Sequence, residues 1–430
     1  MSIDFSNANI RQHMLEGKFG LEKESLRVTT KGFLAHTKHP FVNNPNIERD
    51  FCENQVEIIT DVSDSVEQAW EQLAKFQKHV VDTLQHQKSG KELLWPFSNP
   101  PYVLGESDIP IASYQAKFHG KRLYREYLAT KYGKKKMLFS GIHFNFSFSE
   151  AFLTAAYSQS EFSTMREFKD RIYLELAKKV TIYSWLIVYL TAASPVMDGS
   201  FFSEKEIGKS VEKDLASPRC SNIGYWNDFD IILQYDSLQS YIESIESYVE
   251  NGQLKEPAEL YYPVRLKPAG ENTLERLKEN GVNHIELRML DLNPLESVGI
   301  CKKDLHFLHL FLIYLLSLED EVFWPFEQVM AIKNEKNAAK YDDKKIWIET
   351  GWNSSMPIRH AALQVLSSLE RFYAGLGEFQ LVKIIQEQEQ KVLFPEMRYA
   401  VQVKSLFQDN YVRRGIALAE EYAKQLGETI

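Results

Sequence analysis

The sequence predicts an α+β protein built on a mainly antiparallel sheet with helices packed against one face. Short polar–apolar alternating segments occupy the first 150 residues and the stretch from about 217 to 293. Helical spacing fills 64 to 88, 121 to 132, 162 to 192 and most of 302 to 426, leaving a mainly helical C-terminal part. The strands are separated by helices at irregular intervals, which favours antiparallel pairing. No fixed-period repeat, low-complexity tract or Pro/Gly/Ser linker interrupts the chain, so residues 1–430 read as a single domain.

Boundary signals support the helices in turn. Ser63 and Asp64 open the first long run, Ser194-Pro195 closes an apolar helix at 180 to 193, and Gly375 follows a helix that begins after Pro357. The apolar runs Val180 to Ala193 and Leu305 to Leu316 fall short of the roughly 18 residues needed to cross a bilayer. Both read as buried helices.

Composition excludes several function classes. With 44% apolar and 25% charged residues the chain is globular, and a formal net charge of -9 gives no reason to expect nucleic acid or an acidic membrane as partner. The basic run Lys134–Lys136 reads as a solvated face. Cys52, Cys220 and Cys301 lie far apart without metal spacing, which points to a reducing, cytoplasmic setting. The first residues lack the basic start and apolar stretch of a secretory signal.

The chemistry concentrates on strand faces. In Gly20 to Leu26 the period of two puts Glu22 and Glu24 on one side, about 7 Å apart. In Gln55 to Ile59, Glu57 points away from Val56 and Ile58, with Asp50 and Glu53 just upstream. Gly141 to Phe148 alternates strictly, setting His143, Asn145 and Ser147 opposite Ile142, Phe144, Phe146 and Phe148. His284 to Met289 places Glu286 and Arg288 together opposite Ile285, Leu287 and Met289. Solvated strand faces favour Thr, Lys, Gln and Ser, whereas these carry mostly Glu, His, Asn and Arg.

Carboxylates crowded on one face call for a cation. Hard oxygen ligands with one imidazole suit Mg²⁺ or Mn²⁺, and a neighbouring arginine suits a phosphoryl oxygen bridging to the metal. Phosphoryl transfer is therefore expected, without a phosphate loop. Gly208-Lys209-Ser210 imitates the end of such a loop, but Ser203 stands where its first glycine belongs. Gly375-Leu376-Gly377 lacks the third glycine of a dinucleotide fingerprint and reads as a helix end.

Five segments carry a resemblance: Phe19-Gly-Leu-Glu-Lys-Glu-Ser-Leu-Arg-Val28, Leu94-Trp-Pro-Phe-Ser98, Leu123-Tyr-Arg-Glu126, Ser140-Gly-Ile-His-Phe-Asn145 and Glu286-Leu-Arg-Met-Leu-Asp-Leu-Asn-Pro294. They resemble the bacterial glutamate-cysteine ligase family, with further matches in family order at Asp50-Phe51, Ala193-Ser-Pro195, Gly224-Tyr-Trp-Asn227 and Glu259-Leu-Tyr261. The resemblance implies a glutamine-synthetase-like fold, a curved antiparallel sheet forming a funnel, with helices on its outer face. It implies ATP-dependent joining of the glutamate γ-carboxylate to the cysteine amine through a γ-glutamyl phosphate, with ATP as co-substrate and Mg²⁺ or Mn²⁺ as cofactor.

Residue by residue, the resemblance implies Glu22, Glu24, Asp50, Glu57, His143 and Glu286 as metal ligands and Arg288 as stabiliser of the transferring phosphoryl group. Arg219 and Asn145 fall to the substrate site. Phe51, Tyr124 and Leu128 line the acceptor pocket with Arg125 nearby, and Tyr225 and Tyr261 contact the cysteine carboxylate. Three positions depart from the family pattern: Met137 replaces a usual Gln, Phe144 a usual Tyr, and Pro218 a branched aliphatic residue. The first two motivate a second reading, a ligase of the same fold using another amine. A non-catalytic nucleotide-binding regulator is the third. Because the sequence ends at Ile430, only the first step of glutathione biosynthesis is expected.

Overall fold

Residues 3–114, 119–211 and 213–428 are described by a computed structural model; Ile430 lies outside them. The strands, in chain order, are β1 (Gly17–Thr29), β2 (Ile47–Arg49), β3 (Gln55–Ile59), β4 (Glu92–Leu94), β5 (Gly141–Phe148), β6 (Met197–Asp198), β7 (Ser210–Val211), β8 (Val264–Lys267), β9 (His284–Asp291), β10 (Trp347–Gly351) and β11 (Ser354–Pro357). The main sheet runs β2-β3-β1-β5-β9-β8, with β4 paired to the end of β1, and every pairing in it is antiparallel. Strand β1 is long enough to serve three neighbours: β5 along its first half, β3 across its middle and β4 at Arg27–Thr29.

The apolar half of each alternating pattern is buried. Phe19, Leu21, Ile142, Phe144, Phe146, Ile285 and Leu287 join one core with the helices Met165–Thr191 and Lys302–Ser317. The second of these is apolar around most of its circumference because it lies inside that core. Its His309 meets Phe19 edge-on at 4.8 Å, and burial pushes the imidazole down to about 3, so the ring stays neutral. No helix among the described residues is long and apolar enough to cross a membrane.

Several boundaries differ from the sequence expectation. The stretch 217 to 293 holds only β8 and β9 as strands, alongside the helices Leu238–Glu250 and Leu274–Asn280. Their caps were present in the sequence: the Ser237 side chain accepts from the Ser240 N–H and that of Thr273 from the Arg276 N–H. Ser65, rather than Ser63 or Asp64, caps the helix Val66–His86. The run ending before Ser194-Pro195 is the last part of the single long helix Met165–Thr191. Gly375 is still helical, and the left-handed residue is Gly377 at φ 84°. The hairpin β10–β11 interrupts the helical C-terminal part.

One buried acid makes stability depend on pH. Glu335, on the helix Pro325–Ala338, is 1% exposed, with Oε2 unpartnered. Burial raises its carboxyl to about 7, against a partial offset from a hydrogen bond with Ser184. An acid whose pKa is higher in the folded state loses stability as pH rises, beginning near its unfolded value of 4.5 and ending above about 7. Glu335→Gln mimics the protonated form, so its advantage in melting temperature should open above pH 4.5 and level off past pH 7, where it is worth roughly 3 kcal/mol. Thermal melts across that range check this; a pH-independent difference would refute it.

Candidate active site

Register brings the polar strand faces together. Directly paired residues of antiparallel strands share a face, and the pairs here are Glu22 with His143, Glu24 with Glu57, Asn145 with Glu286, and Glu286 with Arg265. Between Ile142↔Leu290 and Phe144↔Leu287, three steps along β9 answer two along β5, a bulge beside the Arg288 and Met289 positions. These faces open into a cavity of about 250 Å³. Glu22, Glu24, Asp50, Glu57, His143 and Glu286 all line it, as do Arg288, Phe51, Tyr124, Arg125, Leu128, Tyr225 and Tyr261.

The imidazole is the hub of the acidic wall. His143 Nδ1 lies 3.2 Å from Glu22 Oε2 and 3.6 Å from Glu286 Oε1, while Nε2 lies 3.6 Å from Glu24 Oε1. One ligand atom each from Glu22, His143 and Glu286 fall within 4.8 Å of one another. His143 Nε2 is buried with no hydrogen-bond partner, an orphan that a bound cation would satisfy. Carboxylate oxygens with one imidazole fit a hard divalent cation.

Electrostatics divide the carboxylates into two groups. Burial works against the charge of Glu286, yet Lys267, Arg288 and His143 hold its carboxyl well below the usual range. Glu22 is opposed by burial and by Glu286, but His143 brings it below its ordinary value. Glu24 is pushed up by burial and then by Asp50. Glu57 is pushed well up by burial, then by Asp50 and the other carboxylates. A cation entering the wall would favour the ionised forms of Glu24 and Glu57.

Facing the acids is a basic wall, of which strand alternation in the sequence marks only Arg288. Arg265 and Lys267 line the cavity from β8, where Val264 and Leu266 point into the core. The same alternation that exposed the acidic strands was present in Val-Arg-Leu-Lys, but a four-residue basic segment reads as a solvated edge. Ala258 and Met137 complete the lining.

Arg219 does not line this cavity. It lines an adjoining one that shares Tyr225, Tyr261 and Arg288, and its guanidinium donates to the carbonyls of Arg288 and Leu290. Gly141 makes this approach possible, since a Cβ there would collide with the guanidinium. Asn145 donates to Glu22 Oε1 at 3.0 Å and acts on that carboxylate rather than on the cavity wall.

One end of the cavity is apolar and aromatic. Phe51, Leu128 and Met137 are buried, and Tyr225 meets Tyr261 edge-on at 5.0 Å. Arg125 donates from Nε to the Asp50 carbonyl at 2.6 Å, tying the helix His119–Tyr132 to the strand that ends beside Asp50. Phe144 lies on the opposite, helix-packed face and is 1% exposed, so the hydroxyl missing there is not lost from the site. Cys52 is fully buried and its thiol is pushed up by burial and by Asp50, which makes it unreactive.

The sequence profile described as glutamate-cysteine ligase matches residues 3–255 and 249–339. The chain is 40% identical over 433 residues to the glutathione biosynthesis bifunctional protein GshAB of Listeria monocytogenes, covering 97% of this chain and 56% of that protein. It is 35% identical to the protein of the same name from Clostridium perfringens, covering 96% and 55%. Among solved structures, a bifunctional glutathione synthetase from Pasteurella multocida superposes with a TM-score of 0.83 at 29% identity, over 99% of this chain and 54% of that one. A glutamate-cysteine ligase from Francisella tularensis, solved in complex with AMP, shares the fold with a TM-score of 0.84 at 23% identity, over 96% and 89%. The chain spans about half the length of the bifunctional relatives it matches. With the profile spanning most of its length and the acidic sheet face in place, this chain belongs to the glutamate-cysteine ligase family.

Proposed function

We propose that residues 1–430 act as one catalytic unit that uses ATP to join the γ-carboxylate of glutamate to the amine of cysteine. The products are γ-glutamylcysteine, ADP and phosphate, the first step of glutathione biosynthesis. The observation that carries this reading is one cavity with an acidic wall, a basic wall and an aromatic end.

A carboxylate is a poor electrophile, so its activation as an acyl phosphate makes phosphate the leaving group. Mg²⁺, or Mn²⁺ in its place, would be held by Glu22, His143 and Glu286 with Glu24, Asp50 and Glu57 around them, and would neutralise charge on the nucleotide oxygens. Arg288 sits 3.2 Å from Glu286 Oε2, inside the cavity, where its guanidinium can take up charge on the transferring phosphoryl group and on the tetrahedral adduct that follows. Asn145 orients Glu22. Arg219, beside Gly141 and Glu24, would hold the glutamate end from the adjoining cavity. Phe51, Leu128 and the tyrosines Tyr124, Tyr225 and Tyr261 exclude water from the acceptor amine, with Arg125 at their edge.

The second reading, a γ-glutamyl ligase for another amine, is favoured by a single observation: Met137 puts a thioether on the cavity wall where family members usually carry an amide. ADP release with Mg²⁺, ATP and glutamate, with cysteine or with a panel of other amines, tests both. Formation of γ-glutamylcysteine, identified by mass and dependent on cysteine, is the expected result. Turnover with only another amine would replace the acceptor, and no turnover with any amine would leave the regulatory reading.

A further inference from the structure

Glu286 is held differently from the other acids of the cavity. Lys267 Nζ lies 2.9 Å from its Oε1, and an Arg288 guanidinium nitrogen 3.2 Å from its Oε2. Oε1 is also the oxygen 3.6 Å from His143 Nδ1, so the ammonium holds the oxygen that faces the Glu22–His143 pair. A dication bound among those three residues through Oε1 would share that oxygen with Lys267. Two cations on one carboxylate oxygen repel strongly in a site withdrawn from water.

The fold decides which partner yields. Glu286 is fixed in mid-sheet between β5 and β8, and Arg288 lies two residues away on the same strand. Arg265 is tied to the carbonyls of Ala258 and Leu260. Lys267 is the last residue of β8, an edge strand, and its ammonium ends a flexible four-carbon stem at the cavity wall. Glu286 is its one ion-pair partner among the described residues.

We propose that Lys267 is a substrate-contacting residue of the ligase reaction. Its ammonium holds Glu286 in the metal-free enzyme and moves to a terminal phosphoryl oxygen of the nucleotide when a divalent cation takes Glu286. The inference rests on the reaction proposed above. Lys267 forms no covalent bond; it exchanges one anionic partner for another, and the cavity always holds a cation at Glu286.

The test separates this handover from a bracing role. Lys267→Met should bind Mn²⁺ about tenfold more tightly in the absence of nucleotide, read by electron paramagnetic resonance of the free ion, because one competitor is gone. The same variant with Mg²⁺ should bind a non-hydrolysable ATP analogue about tenfold or more weakly and turn over about a hundredfold more slowly, the loss of one charged contact to phosphate. Lys267→Arg should restore part of the analogue affinity. Weaker Mn²⁺ binding in Lys267→Met would mean that the lysine only braces Glu286, and unchanged analogue affinity would mean that it never reaches the phosphate; either overturns the inference. If Lys267→Met does not fold, Lys267→Gln carries the same comparison. A wild type that binds the analogue but forms no γ-glutamylcysteine defeats the proposed reaction, while the two titrations still decide the role of Lys267.

Discussion

Glu286→Gln is expected to lower turnover at least about a thousandfold, because in the proposed reaction this carboxylate would hold the cation as well as pair with the basic wall, and each is worth several kcal/mol in phosphoryl transfer. The substitution keeps the shape of a side chain that is 1% exposed but removes the charge facing His143, Lys267 and Arg288. Two consequences separate it from simple unfolding. Divalent-cation affinity should fall along with turnover, whereas the circular-dichroism spectrum should match wild type, since the strand keeps its pairing with β5 and β8. Near-normal turnover at saturating Mg²⁺ would show that the cation does not need this ligand.

Arg27→Ala should have the largest effect on stability, about 3–5 kcal/mol, the usual result of removing one member of a buried ion pair. Arg27 is fully buried and donates to Glu92 at 2.8 Å, to the Thr37 hydroxyl and carbonyl, and to the Glu53 carbonyl. Its loss strands the buried Glu92 carboxylate and unties β1 from β4 and from the segment before β3 that carries Asp50 and Phe51. Chemical denaturation should show a lower midpoint. The double replacement Arg27→Leu with Glu92→Leu should recover most of the loss, because no unpaired charge remains. If the double variant is as unstable as the single one, the pair is doing more than satisfying itself.

Much of the site was legible because strand alternation is local. Glu22 with Glu24, His143 with Asn145, and Glu286 with Arg288 sit two residues apart, so the facing of each pair follows from the pleat alone, wherever the strand ends up. The strands Gln55–Ile59 and Gly141–Phe148 have the bounds that alternation gives them. The motif resemblance then joined segments that composition could not connect. The helices at 238–250 and 274–280 are less legible, because their Ser237 and Thr273 caps look like ordinary loop residues.

Other features depend on pairing between distant segments. Alternation sets Phe144 opposite His143, but which helices its face packs against is decided only when β5 is set between β1 and β9. Nothing near Arg265 and Lys267 marks them as a cavity wall until β8 pairs with β9 and places Arg265 opposite Glu286. Glu335 reads as one more charge on a helix, and only its burial in the folded chain, working against Ser184 and Arg219, raises its carboxyl to about 7. Side-chain facing is thus a property of a few successive residues and can be read from them. Partner choice, burial and the charge state of a carboxylate are set by groups far apart in sequence, and only the folded chain brings those groups within reach of one another.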